Sequence, residues 1–183
     1  FAAELSLLLL VTYFATYAIT QGMSESDSYL LLVLWNATGI LGRWIPGYAS
    51  DYLGRFNINL LMLMGYTLLI LVLWLPFGAS RQVLFLFAAI GGFFLGLVLL
   101  MVPLCLAQIS PVREFGGRYG IVLFFLSIGN LIGVPIGAAI IGDSSKHNYD
   151  MFVMLVGILA TIGFALWAMS RFYLVGIRLN VKV

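Results

Sequence analysis

Six long apolar runs, each separated from the next by a short polar break, constrain this chain more than any other feature. They are Ala2 to Thr20, Tyr29 to Ile45, Ile58 to Pro76, Val83 to Ala107, Tyr119 to Ile141 and Met151 to Tyr173. A helix needs about 20 apolar residues to cross the hydrocarbon layer. The 183 residues therefore divide into six spans and leave no break long enough for a separate domain, so 1–183 reads as one six-helix membrane unit. Composition agrees. Hydrophobic residues make up 63% and charged residues 9%, against roughly 50% and 25% in soluble domains. The first residue is Phe1, and no basic start and cleavage site follow it, so we expect no signal peptide and a chain that is part of something longer.

The few charges report topology. With six spans, Arg43, Arg55, Arg113, Arg118, Arg171, Arg178 and Lys182 fall on one side, and Arg81 and Lys146 on the other. Lys and Arg in short loops favour the cytoplasm, which predicts cytoplasmic termini and a multi-pass protein, with the plasma membrane favoured over an organelle. A net charge of +2 without a clustered basic face argues against nucleic acid as a partner. The single cysteine, Cys105, lies in an apolar run and reads as packing.

The spans differ in polarity. The third and sixth carry almost no strong polar groups and are expected to face lipid all round. The first carries Thr12, Thr16 and Thr20 at four-residue spacing beside Tyr13 and Tyr17, the second Asn36, Gly39 and Arg43 on one face, and the fifth Ser127 and Asn130. The fourth and fifth are rich in Gly with Pro inside, so four spans have something to hide from lipid. Gly92 and Gly96, and then Gly129, Gly133 and Gly137, recur every four residues and permit close packing. Pro103 and Pro135 predict kinks, either plain or beside a wet cavity.

The break after the second span reads Gly47-Tyr-Ala-Ser-Asp51-Tyr-Leu-Gly54-Arg55. Gly47 would allow a close crossing, Gly54 a sharp turn, and Asp51 would cap a helix start or pair with Arg55. This pattern between the second and third helices resembles the loop signature of the major facilitator superfamily. Asn36-Ala37, Gly42-Arg43, Pro46-Gly47, Gln108-Ile-Ser110, Glu114-Phe-Gly116 with Arg118, and Gly129-Asn130 through Gly137 look like its fungal monocarboxylate-transporter-like branch. The resemblance implies helices 7 to 12 of a twelve-helix carrier whose N-terminal half is absent. It also implies that the first, second, fourth and fifth helices line a central path. Carriers of that kind pair a helix-8 Arg with an Asp one turn earlier; Arg43 matches the Arg, and Gly39 stands where the Asp would be.

The substrate-binding candidates are Arg43, which would attract an anionic group, the amides Asn36 and Asn130, and Tyr13. Each has a plainer reading. Arg43, read as the only basic residue inside a span, could snorkel or pair with Asp51; the amides could join helices; Tyr13 could bond within the bundle. Arg113, Glu114 and Arg118 are either a topology anchor or a gate in which opposite charges bridge helices. No buried proton carrier is visible: Glu4 lies near the start of the first span, so a coupled proton would use a group in the absent half or, as the less favoured alternative, Glu4, and His147 lies in a loop. There is no repeated acidic ring for a channel and no acid, His or Cys cluster for an enzyme, a metal or another cofactor. The expected function is a secondary transporter of a small organic solute, a monocarboxylate or other organic anion, with or without a coupled proton. A vitamin-like neutral solute or a non-transporting membrane scaffold are the alternatives.

Overall fold

A computed structural model describes residues 1–143 and 145–175. Arg178 and Lys182, part of the charge asymmetry, lie outside the described residues. Six helical rods follow one another: α1 (Ala2–Thr20), α2 (Glu25–Leu53), α3 (Arg55–Phe77), α4 (Arg81–Ile109), α5 (Val112–Ile141) and α6 (Lys146–Val175). There is no strand among the described residues. All but α2 are long and apolar enough to cross a membrane. α2 has the length, 29 residues, but carries Glu25, Asp27, Arg43 and Asp51. An all-α membrane protein is the fold class.

Local chemistry sets the rod ends. Ser24 caps α2 by accepting the Asp27 amide at 3.2 Å, and Glu25 and Asp27 lie in the first turn, where acids favour the helix dipole. At the other end Gly54 turns the chain into α3 with φ +89°, a backbone region that side chains resist. Asn57 Nδ2 donates to the Leu53 carbonyl across that turn at 2.8 Å.

One end of the core is a dense aromatic cluster. Phe14, Trp35, Trp74 and Phe87 meet with ring centroids 5.0 to 5.9 Å apart, and Tyr17 stacks edge-on against Trp74 and Tyr149. Edge-to-face pairs at such distances add about 0.5 to 1.5 kcal/mol each beyond burial. Trp74 reaches this cluster from a π-helical stretch of α3, Leu69–Trp74, just before Pro76. The irregular helix is this one. α4 and α5 run unbroken through Pro103 and Pro135, so neither proline produces a broken helix.

Two expectations about the rods are corrected. α3 and α6 do not face lipid all round: α3 buries Asn59, Met62, Leu63, Tyr66 and Ile70, and α6 buries Tyr149, Phe152, Val156 and Ala160, while Leu61, Met64, Leu68, Met151 and Ile158 stay outside. Each is two-faced, and apolar composition alone carries no information about which face packs. The basic residue sealed inside is Arg171, 2% exposed, whose Nε donates to Asn57 Oδ1 at 2.6 Å. Arg43, read as the one basic residue within a span, is thus not alone in its helix position, and it lies on an exposed face of α2. A polar hub at Ser6 ties three rods: its hydroxyl donates to the Val156 carbonyl at 2.8 Å and accepts from the Tyr66 hydroxyl at 3.0 Å.

Candidate functional site

α2 and α4 cross so closely that their backbones touch, because glycines face each other there. A Cβ on Gly42 would lie 2.7 Å from the Phe93 carbonyl carbon and 2.8 Å from its Cα. One on Gly92 would collide with the Trp35 carbonyl and Thr38 Oγ1, and one on Gly96 with the Gly39 backbone. Gly92 and Gly96 therefore do what their spacing predicts. Gly129, Gly133 and Gly137 of α5 do something different: they form a groove that receives the Phe1 ring, Leu5, and Leu9 with Tyr13 from α1.

Beside the α2–α4 crossing lies a cavity of about 310 Å³. Its walls bring together Glu4 and Leu7 of α1, Asn36, Gly39 and Arg43 of α2, Gly92 and Gly96 of α4, and Asn130 of α5. The four helices are the ones that the family resemblance implied along a path. Arg43 is anchored there: its Nε donates to the Gly96 carbonyl at 3.2 Å, which leaves the rest of the guanidinium at the cavity wall. It makes no ion pair with Asp51 among the described residues. Asn36 Nδ2 donates to the Leu32 carbonyl of its own helix at 2.8 Å, so its Oδ1 remains available, and Asn130 makes no side-chain hydrogen bond among the described residues. A cation, two amides and one carboxylate in a partly apolar cavity suit a small solute with both charged and hydrogen-bonding groups.

Tyr13 does not join them. Its hydroxyl donates to the Val134 carbonyl at 2.8 Å and its ring meets Phe152 edge-on at 5.3 Å, so it ties α1 to α5 and α6 away from the cavity wall. The residue that sequence reasoning undervalued is Glu4. Its place near the start of α1 suggested a boundary group, and only the approach of α2 and α5 brings it into the cavity.

The loop motif divides in a similar way. Gly54 makes the turn, but Gly47 is not the close crossing: a Cβ there would meet only Leu97 Cδ1, at an ordinary 3.8 Å. The tight position lies earlier in α2, at Gly42, while Gly39 is the backbone against which Gly96 packs. Arg55 reaches the Leu104 carbonyl of α4 at 3.4 Å rather than Asp51. Of the gate residues, Arg118 pairs with Glu114 at 2.7 Å and reaches Ser110 Oγ at 3.3 Å. That bond lies within the start of α5, so here the charges do not bridge helices. Arg113 is exposed beside them. On the opposite end of the bundle, Arg81 of α4 pairs with Asp27 of α2 at 3.0 Å.

A polytopic helical membrane protein with a polar cavity among its helices is the class that this fold and site define. No protein-family model and no solved structure matches the sequence. Curated relatives do. The riboflavin transporter MCH5 of Saccharomyces cerevisiae is 37% identical over 176 residues, 96% of this chain and 34% of that protein. An MFS-type transporter of Gibberella moniliformis is 33% identical over all 183 residues, 44% of its own length. The MFS-type transporter opdF of Penicillium oxalicum is 35% identical over 171 residues, 93% of this chain and 40% of that protein. The chain belongs to the major facilitator superfamily. It spans about a third to less than a half of the length of these relatives.

Proposed function

We propose that this chain is one six-helix half of a secondary transporter, helices 7 to 12 of twelve, and that it supplies one wall of a path for a small organic anion. Alternating access between the two halves would move the solute. The observation that carries the proposal is the cavity that unites Arg43, Asn36 and Asn130 on the α1, α2, α4 and α5 side. Arg43 would hold a carboxylate and the amides would orient the remaining oxygens. α2 would complete the six spans, despite its charges, because Asn36 and Arg43 would face the watery path rather than lipid. The termini would lie in the cytoplasm of a plasma-membrane protein, and the partner would be the N-terminal half in the same bilayer. The Glu114–Arg118 pair would be free to exchange partners as an inner gate opens and closes.

A second reading has its own support. Trp35 forms part of the same cavity wall, and one relative is named for riboflavin. An aromatic residue at the wall beside two amides would suit a flat heteroaromatic solute.

The test uses the full-length carrier in cells lacking their own uptake, with a radiolabelled monocarboxylate and riboflavin assayed in parallel. Arg43→Gln is expected to lower anion uptake by roughly tenfold to a hundredfold, the worth of a hydrogen bond to a charged group, with the surface amount unchanged. Under the second reading Trp35→Ala lowers riboflavin uptake and Arg43→Gln does not. If neither variant changes either uptake, the cavity is not the solute site. A purified carrier that is stabilised by a protein partner and by no solute would point to a scaffold instead.

A further inference from the structure

The turn between α4 and α5 carries a feature that the transport reading leaves unused. Ser110-Pro111-Val112-Arg113 holds the only Ser-Pro or Thr-Pro pair in the sequence. A proline ring keeps the preceding residue out of the helical region. Ser110 accordingly sits extended at φ −119° and ψ 137°, followed by Pro111 at φ −58° and ψ 141°. The first turns of α5 beyond them stand in the open: Val112 is 94% exposed, Arg113, Glu114 and Arg118 are exposed, and a Cβ on Gly116, Gly117 or Gly120 would meet no atom within 4 Å. A glycine inside a helix costs about 1 kcal/mol relative to alanine. With three of them and few packing contacts, this end of α5 unwinds at little cost and can lend its chain to another protein.

We propose that Ser110 is a phosphorylation site for a proline-directed Ser/Thr protein kinase, and that the phosphate it gains takes Arg118 from Glu114. Kinases of this class bind the residue after the target serine against an apolar wall with no acceptor for a backbone N–H, and proline brings none. An anionic group on the kinase favours a cation three residues after the serine, which is where Arg113 stands. In the transfer Ser110 Oγ attacks the γ-phosphorus of ATP, the O–P bond forms as the bond to the leaving oxygen of ADP breaks, and the hydroxyl proton passes to the carboxylate base of the kinase. The partner for the product is already in place. Arg118 Nη1 donates to Ser110 Oγ at 3.3 Å while its Nη2 donates to Glu114 Oε2 at 2.7 Å. A phosphate there carries about −1.5 to −2 charges and three strong acceptor oxygens, against a single charge on Glu114, so the guanidinium turns to the phosphate and Glu114 is repelled. The start of α5 favours the same anion through its dipole. The pair described above as an inner gate is thereby opened by modification, without solute.

The inference takes from the transport reading only that this turn faces the cytoplasm, and its test needs no solute. The purified full-length carrier in micelles, with both ends open to solution, is incubated with a cyclin-dependent kinase and labelled ATP, and its phosphopeptides are read by mass spectrometry. Phosphate is expected on Ser110 and is expected to vanish in Ser110→Ala. Pro111→Ala, which presents the kinase with an N–H it cannot satisfy, should slow the labelling by roughly tenfold or more, and Arg113→Gln should slow it several-fold. No phosphate on Ser110 in the unaltered protein overturns the proposal whether or not the variants fold, and so does a rate indifferent to both Pro111→Ala and Arg113→Gln. By phosphorus NMR the bound phosphate should titrate below the value of about 6 usual for phosphoserine, and Arg118→Gln should raise that midpoint; an unchanged midpoint overturns the capture of Arg118. Sealed vesicles with the cytoplasmic face outward complete the test. Labelling there supports the proposal, and labelling only after the vesicles are opened overturns it together with the assumed orientation. Loss of solute uptake in Arg43→Gln beside an unlabelled Ser110 would leave the transport reading sound and sink this inference alone.

Discussion

Adding one methyl group at Gly42 tests the packing that holds the site together. In Gly42→Ala the new carbon would start 2.7 Å from the Phe93 carbonyl carbon and 2.8 Å from its Cα, against 3.4 to 4 Å for an ordinary contact. Both obstacles are backbone, so no side chain can swing away. α2 and α4 must separate by about 1 Å, and overpacking of this kind costs roughly 1 to 3 kcal/mol. Arg43 is the next residue. Its 3.2 Å bond to the Gly96 carbonyl stretches past hydrogen-bonding range in the same movement, and a bond from a charged donor is worth about 1.5 to 3 kcal/mol. Alanine returns about 1 kcal/mol through its better helix propensity. The net loss is then roughly 1.5 to 5 kcal/mol, or one to nearly four powers of ten in the folded-to-unfolded ratio. Equilibrium unfolding of the purified full-length carrier in mixed detergent micelles measures it. Gly47→Ala is the control, since its Cβ has room. The reasoning fails if Gly42→Ala lies within about 0.5 kcal/mol of the parent, the scatter expected of substitutions that touch nothing, or if Gly47→Ala is destabilised equally.

Three further outcomes follow from other contacts. Ser6→Ala should cost about 1 to 3 kcal/mol because it strands the buried Tyr66 hydroxyl; the Ser6→Ala, Tyr66→Phe double variant should recover part of that loss, and strict additivity in an unfolding cycle would show that the hub is not coupled. Tyr13→Phe removes the bond to the Val134 carbonyl and should lower stability by about 1 kcal/mol while leaving the KM for solute unchanged; a raised KM would return Tyr13 to the binding site. Glycosylation acceptor sites placed in the loop near Gly47 to Arg55 should stay unmodified and those placed at 142–145 should be used, and the reverse pattern in a membrane-insertion assay would invert the proposed orientation.

Much of this was legible before any coordinates. Hydropathy sums along the chain, so the rods and most of their limits follow from residue content alone, and Gly54 at a loop needing left-handed backbone is equally local. That Asn36 and Arg43 share a face of the second span was also readable from their helical spacing; that Asn130 joins them was not. Other features were not. Gly42 and not Gly47 takes the tight crossing, because that depends on the depth at which α2 and α4 meet. Arg171 and Asn59 are buried, although their positions near rod ends suggest solvent, because α3 and α6 close over them. Tyr13 turns to α5 and Glu4 lies at the cavity that holds Arg43 for the same reason. The sequence by itself determined that this protein is a set of apolar helices with polar stripes. Only the tertiary structure decided which stripes meet, because contact depends on the rotation and depth of two helices together, and neither helix carries that information alone.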